Sequence, residues 1–267
     1  MQIEFSKYQG AGNDFIMIDD RKELFPVSVQ LVNHLCDRRF GIGADGLILL
    51  RNHPEYDFEM VYFNSDGNLA SMCGNGGRCT AAFAKQLGIN IEEYNFIAVD
   101  GPHKAFFKDG LVSLQMKNVD QISKRGSDLV LNTGSPHYIR FIDDLKDLDV
   151  VKLAKEIRYN PEFKEKGINV NFVAVDHSSP NHIRLRTYER GVEDETLACG
   201  TGVVASAIAY FHEKNENKNN ASNNHICVSA MGGELEVDFD YDPQNLYYDI
   251  WLTGPAEGVF DGEYNGQ

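Results

Sequence analysis

Basic residues are scarce in this chain: 25 Lys and Arg stand against 40 Asp and Glu over 267 residues, a formal net charge of -15. So acidic a chain repels phosphate backbones, and its cations form no stripe interleaved with aromatics, so nucleic acid is not an expected partner. Long apolar runs are missing too. No stretch approaches the roughly 18 residues that a membrane helix needs, and Met1-Gln2-Ile3-Glu4-Phe5-Ser6-Lys7 has no basic segment leading into an apolar one. The expectation is a cytoplasmic protein with no membrane association. Cysteine is sparse, five residues at irregular spacing, which suits reduced thiols better than a secreted disulfide framework. There is no Cys-X-X-Cys pair, so a dithiol redox protein lacks its usual signature. What remains, 42% hydrophobic and 24% charged residues, is ordinary globular composition with length enough for two domains.

The chain repeats itself. Each half opens with a turn-forming segment that runs into a strand, Gly10–Asp20 in one and Thr133–Asp144 in the other, and both end in Asp-Asp. Apolar residues spaced three and four apart then predict helices over Val29–Cys36 and Val150–Ile157. Strands follow at Leu47–Leu50 and Phe58–Phe63, matched by Val170–Val175 and Ile183–Tyr188. Next come Cys73-Gly74-Asn75-Gly76-Gly77-Arg78 and Cys199-Gly200-Thr201-Gly202-Val203-Val204, each opening an Ala-rich helix, about Asn75–Leu87 and Thr201–His212. Apolar residues lie nearly all round these helices, so they are expected at the centre of each half. Closing strands are expected at Phe96–Val99, Lys104–Phe107 and Leu111–Met116, and again at Ile226–Ser229, Glu234–Phe239 and Leu246–Leu252. The fold class expected is α+β: two pseudo-symmetric domains, 1–120 and 121–267, each a mixed, mostly antiparallel sheet around a central helix. The last residues are candidates to pack back on the first domain. Asn118–Asp128 is the expected linker, and the polar run Lys214–Asn220 an expected solvent loop.

Cys73 and Cys199 carry the chemistry. Both sit at the first turn of a helix, where backbone N–H groups and the helix dipole favour negative charge, so a thiol there tends to ionise. The neighbouring glycines let a ligand carboxylate come close to those N–H groups. A carboxylate cradle beside a base, made twice, suits proton exchange at a carbon next to a carboxylate. Inverting such a carbon takes a proton from one face and returns one to the other, with one cysteine as thiolate and its partner as thiol. Cys36, Cys79 and Cys227 fall in helix and strand patterns and are expected in the core.

Five segments carry a resemblance: Gly12-Asn13-Asp14-Phe15, Phe63-Asn64-Ser65-Asp66-Gly67, Cys73-Gly74-Asn75-Gly76-Gly77-Arg78-Cys79, Tyr188-Glu189-Arg190-Gly191 and Ala198-Cys199-Gly200-Thr201-Gly202. In this order they resemble the signatures of the diaminopimelate epimerases over nearly the whole chain. The resemblance implies two similar α/β domains, and interconversion of LL- and meso-diaminopimelate for lysine and peptidoglycan synthesis with no cofactor, neither pyridoxal phosphate nor metal. It implies Cys73 and Cys199 as acid and base, with Gly74, Asn75, Gly200 and Thr201 holding the reacting carboxylate through backbone N–H groups. Asn13, Asn64, Asn169, Glu189 and Arg190 match positions that bind the substrate's amino and carboxylate groups, and His137 and Glu189 match positions that tune the thiols. Ser135 stands where these proteins usually carry Asn, and Gly46 where some carry Gln; both are candidate binding positions. The family also implies a homodimer, with Phe260 in place of a tyrosine at the dimer contact. Proline or hydroxyproline racemization and amino-acid binding without turnover are the alternatives. The first needs no clamp for a second carboxylate, and the second needs no reactive thiol.

Overall fold

The computed structural model describes residues 2–70, 72–215, 221–244 and 246–266, less the side chain of Ala221. Residues 216–220 of the expected solvent loop lie outside this set; Lys214 closes a helix and Asn215 follows it. The chain forms two compact units, Met1–Leu114 with Gly254–Gln267, and Gln115–Thr253.

Unit 1 begins with β1 (Gln2–Gly10) and β2 (Asn13–Asp19), an antiparallel hairpin. Ala11 and Gly12 turn it with φ of 50° and 82°, the left-handed pair whose twist suits adjoining strands. Ser28 caps α1 (Val29–Cys36) by accepting from Leu31 N at 3.2 Å. The helix returns the chain to β3 (Gly46–Arg51), parallel to β2 with Phe15 opposite Gly46, and β4 (Phe58–Asn64) runs back antiparallel with Asn64 opposite Gly46. After α2 (Gly74–Gln86), the meander β5 (Glu93–Ala98), β6 (Gly101–Lys108) and β7 (Leu111–Gln115) joins the sheet through a parallel β4–β5 pairing.

Unit 2 repeats the plan. The hairpin β8 (Ile122–Arg125) and β9 (Asp128–Asn132) leads to β10 (Pro136–Phe141), antiparallel to β9. Then α3 (Val150–Arg158), capped by Asp149 accepting from Lys152 N at 3.1 Å, brings in β11 (Asn169–Val175), parallel to β10 with His137 opposite Asn169. β12 (His182–Glu189) runs antiparallel to β11 and carries the short β13 (Asp194–Thr196). After α4 (Gly200–Lys214) come β14 (Ala221–Ala230), parallel to β12, then β15 (Gly233–Asp242) and β16 (Leu246–Gly254). The registers coincide, so Phe15 corresponds to His137, Gly46 to Asn169 and Ile48 to Asn171.

Both faces of β3 and β11 are covered, which is why they read as near-continuous apolar runs. Leu47 and Leu49 pack with Val32 and Leu35 of α1, and Val170, Phe172 and Ala174 with Val150, Ala154 and Ile157 of α3. The alternate residues, Ile48 and Leu50, and Asn171 and Val173, are as deeply buried and face the other way. Beneath them α2 and α4 are buried along most of their length.

Two expectations are corrected. Asn118–Asp128 is not a linker: residues 122–125 form β8 and Val119 bridges Tyr247. Its polar residues are those of a short edge strand, which needs no apolar face. Cys227 is half-buried rather than core, because it points outward between buried Ile226 and Val228.

β17 (Glu257–Asn265) pairs antiparallel with β1, the place β8 takes beside β9. Removing residues 257–267 therefore strips β1 of a partner and Phe5 of its edge-on contact with Phe260, ring centroids 5.9 Å apart. Hydrogen-exchange mass spectrometry is expected to show β1 amides exchanging roughly tenfold faster or more, a local loss of about 1.4 kcal/mol, with β11 as the unchanged reference.

Candidate active site

Cys73 and Cys199 are N-cap residues, one position before their helices begin, with matching backbone: φ -102°, ψ 132° and φ -105°, ψ 109°. The first intrahelical bonds run from Gly77 N to Cys73 O at 2.8 Å and from Val203 N to Cys199 O at 2.9 Å. The N–H groups of Gly74 to Gly76 and of Gly200 to Gly202 precede those bonds and lie at the positive end of each helix. Anions are favoured there.

In unit 1, Asn13 opens β2 and donates Nδ2–H to Asp45 Oδ2 at 2.7 Å. A carboxylate only accepts, so the amide is oriented: Oδ1 faces α2 and accepts from Cys73 Sγ at 3.6 Å and Asn75 Nδ2 at 3.4 Å. Arg38 holds Asp45 at 2.8 Å and Asp14 at 2.6 Å, and Lys7 holds Asp14 at 2.7 Å. Burial pushes the Asp14 carboxyl up, but bonds from Arg38 and Lys7 outweigh it and hold it well below the usual carboxylate range. Behind the thiol, Asn75 Oδ1 accepts from Arg78 Nη2 at 2.9 Å, and Arg78 is wholly buried inside α2. Burial lowers its pKa from the ordinary guanidinium value. Asn64 is exposed at the end of β4, its backbone in the turn with Gly67 and Asn68. Gly46 offers only backbone, because a Cβ there would lie 2.6 Å from Phe63 O and from the Tyr62 ring.

In unit 2, Cys199 is 8% exposed, with Sγ 3.5 Å from Thr201 Oγ1. That hydroxyl lies 2.9 Å from His137 Nε2 and 3.1 Å from Ser135 Oγ. Asn169 Nδ2 donates to Ser135 Oγ at 3.0 Å and to Pro136 O at 3.2 Å, and its Oδ1 accepts from Arg190 N at 2.8 Å. Asn169 is buried, so this one side chain joins the Ser135 segment to the turn bearing Arg190. The Arg190 side chain is exposed and gives Nη1–H to Lys166 O at 3.0 Å. Glu189 Oε2 accepts from Thr196 Oγ1 at 3.1 Å. Glu193, at φ 59°, anchors the turn by accepting from Arg158 at 2.9 Å, Tyr159 at 2.8 Å and Tyr188 at 3.0 Å. Burial pushes its carboxyl up, yet those bonds and the Gly191 N–H prevail and bring it to about 2.

His137 is fully buried, and burial first, then the charge of Arg190, push its pKa from 6.5 down to about 3. Between those values the unfolded chain binds a proton that the folded protein refuses, so stability falls as pH drops through the window and is regained above it. The expected slope approaches about 1.4 kcal/mol per pH unit. Thermal melts from pH 7 to pH 5 check it: His137→Gln should lose less stability than wild type over that interval, and an equal loss would contradict the assignment.

Sequence reasoning gave no role to Arg78, Asn171 or the Asp14–Arg38–Asp45 network. A signal existed for Asn171: it lies two residues after Asn169 on a buried strand, and period-2 patterning puts both on one face. For metal binding, one group among the described residues has suitable spacing, His225 with Glu236 and Asp238 on β14 and β15. His225 Nδ1 already bonds Asp238 at 2.8 Å.

In fold the chain is similar to solved structures over nearly its whole length. It resembles a Bacillus anthracis phenazine biosynthesis protein of the PhzF family at TM-score 0.75, 13% identical and covering 99% of each chain. It also resembles a hydroxyproline epimerase from Agrobacterium vitis at TM-score 0.67, 13% identical over 98% of this chain and 92% of that one. Sequence narrows this likeness: the diaminopimelate epimerase profile matches residues 5–127 and 129–259. The diaminopimelate epimerase of Flavobacterium psychrophilum is 51% identical over 97% of this chain and 99% of its own length, and that of Aquifex aeolicus 39% identical over 97% of each. The chain belongs to the diaminopimelate epimerase family.

Proposed function

We propose that this protein interconverts LL- and meso-diaminopimelate, with Cys73 and Cys199 as the two bases. One cysteine, as thiolate, takes the α-proton and becomes a thiol; the other, as thiol, delivers its proton to the opposite face and becomes the thiolate. The stereocentre inverts and the cysteines exchange states, so the reverse reaction begins where the forward one ends. The observation that carries this reading is the doubled arrangement, a cysteine in the same N-cap conformation on each of two buried helices. Charge that develops on the α-carboxylate meets backbone N–H groups and a helix dipole already in place. Asn13 and Asn75 beside Cys73, and Thr201, Ser135 and His137 beside Cys199, supply polar contacts. Glu189 tunes the thiols with His137. Arg190, Asn64 and Asn169 are assigned to the substrate's amino and carboxylate groups, including its far end, with Ser135 in place of an amide.

The reaction needs no cofactor in this scheme, and its product feeds lysine and peptidoglycan synthesis. The net charge of -15 disfavours nucleic acid, and no helix among the described residues is long and apolar enough to cross a membrane. Thiols without disulfides suit the cytoplasm. The partner expected is a second copy of the chain, for which exposed Val259 and Phe260 on β17 offer apolar surface; light scattering reads the mass. The function is tested by incubating LL-diaminopimelate, L-proline and trans-4-hydroxy-L-proline with the enzyme and following chirality by chromatography. Conversion of diaminopimelate alone supports the assignment, and turnover of only the cyclic amino acids would defeat it.

A further inference from the structure

The duplicated frame allows the same site to be compared twice. At matching positions unit 1 has Phe15 and Ile48 and unit 2 has His137 and Asn171, all 0% exposed. A Cβ on Gly76 of α2 would meet Ile48 Cδ1 at 3.1 Å, Met60 Cε at 3.2 Å and Phe15 Cε1 at 3.6 Å. A Cβ on Gly202 of α4 would meet Asn171 Oδ1 at 2.6 Å and His137 Cε1 at 3.3 Å. Apolar side chains fill this space in one unit, so packing alone does not call for polar ones in the other. Buried amides and imidazoles carry a desolvation cost unless their bonds are met.

The bonds are met, and those of Asn171 run in one direction only. Asn171 Nδ2 lies 3.2 Å from Tyr138 O, an atom that only accepts, and Asn171 Oδ1 accepts from Thr187 Oγ1 at 3.0 Å. The amide cannot be turned round. The same Nδ2 lies 3.0 Å from His137 Nδ1 and donates to it, so that nitrogen bears a lone pair and the neutral ring carries its hydrogen on Nε2. Asn169 is fixed likewise: its Oδ1 accepts from Arg190 N, and its Nδ2 hydrogens go to Ser135 Oγ at 3.0 Å and Pro136 O at 3.2 Å, with His137 Nε2 farther away at 3.4 Å. Nε2–H then faces Thr201 Oγ1 at 2.9 Å and Ser135 Oγ at 3.0 Å, so neither hydroxyl can donate to it; Ser135 Oγ, which already accepts from Asn169, directs its own hydrogen to Thr201 Oγ1 at 3.1 Å. With its oxygen accepting from both, the Thr201 hydroxyl turns its hydrogen toward Cys199 Sγ, 3.5 Å away. A donor aimed at sulfur favours the thiolate.

We infer that Asn171 is a positioning residue: it holds His137 in the Nε2–H tautomer and thereby points the Thr201 hydroxyl hydrogen at Cys199. Its catalytic consequence rests on the two-cysteine reaction proposed above, but the tautomer itself does not. With the hydrogen on Nδ1 instead, Nε2 would accept the Thr201 hydrogen and withdraw it from the sulfur. Gly202 also gains a purpose, leaving the space that the Asn171 oxygen occupies.

The test is a two-bond proton–nitrogen correlation spectrum of the full chain labelled with nitrogen-15 histidine, His137 being assigned by its loss in His137→Gln. Wild type is expected to show a bare Nδ1 and a proton on Nε2, with or without substrate turnover. In Asn171→Asp the carboxylate can only accept, so the proton moves to Nδ1; kcat is expected to fall roughly 10–100-fold while KM changes by less than about twofold. Thr201→Val is expected to lower kcat similarly with the Nε2–H tautomer kept. A wild-type proton on Nδ1, or a tautomer that Asn171→Asp leaves unchanged, or one that moves with kcat intact, would overturn the inference. Should Asn171→Asp not fold, the wild-type spectrum and Thr201→Val still decide. An Nε2–H wild type without diaminopimelate activity would remove the function proposed above and leave the tautomer assignment standing.

Discussion

Cys199→Ala is expected to lower epimerization of LL-diaminopimelate by about a thousandfold or more, and Cys73→Ala to do the same. A positioned acid or base contributes about 10²–10⁴-fold, and in the proposed scheme inversion uses both groups in every turnover. The scheme has the cysteines act as a unit, so the losses should not add: the double variant should be no slower than the worse single one. Serine in either place should rescue little, since a hydroxyl ionises far less readily than a thiol. Neither side chain makes a capping hydrogen bond to its helix, so the fold is expected to depend little on either thiol. Thermal melts should therefore stay close to wild type, which separates lost chemistry from lost structure. Coupled activity and melting measurements on the four proteins check this, and a single alanine variant that kept full activity would refute it.

Arg190→Ala is expected to raise KM for diaminopimelate by about 10–100-fold and to change kcat little. Its guanidinium is exposed, and its backbone is fixed through Asn169 Oδ1 at 2.8 Å, in a turn anchored by Glu193. A fork of donors on a firm backbone suits a carboxylate remote from the reacting carbon, and hydrogen bonds to charged groups contribute roughly 1.5–3 kcal/mol each. Binding lost equally from ground and transition states appears in KM. Arg190→Lys, a point charge without the fork, should fall between wild type and alanine. Steady-state kinetics on the three proteins read this directly; an unchanged KM in Arg190→Ala would remove Arg190 from the substrate site.

Much of this architecture was legible because it was written twice. The order of turn, helix, paired strands, Cys-Gly element and closing strands gave the repeat, and the Ala-rich stretches gave the central helices. The last residues are expected against the first domain, but β1 and β17 do not read as strands, because their pairing joins residues near opposite ends of the chain, which local periodicity does not register. β8 looked like a linker because Ser123, Lys124 and Arg125 have no apolar face to show. At the site, the cysteines, Asn13, Asn75, Ser135, His137, Asn169 and Thr201 were named from motifs, and within each unit their side chains bond one another as described above. Which of them touch substrate was less legible. Asn169 has its amide committed to Ser135, Pro136 and Arg190, and Gly46 has no room for a side chain. Arg78 lies in a quoted motif and Asn171 in none, and neither shows there as a buried support; their meaning lies in hydrogen bonds that appear only when the neighbours are in place.

The most direct measurement of the two-base claim is the distribution of deuterium when LL-diaminopimelate reacts in D₂O and is stopped at low conversion. With one cysteine taking the proton and the other returning a solvent-derived one, the meso product carries deuterium at the inverted carbon and the recovered LL substrate carries almost none. Deuterium in recovered substrate at the level found in product would mean that one group serves both faces, and would contradict the account.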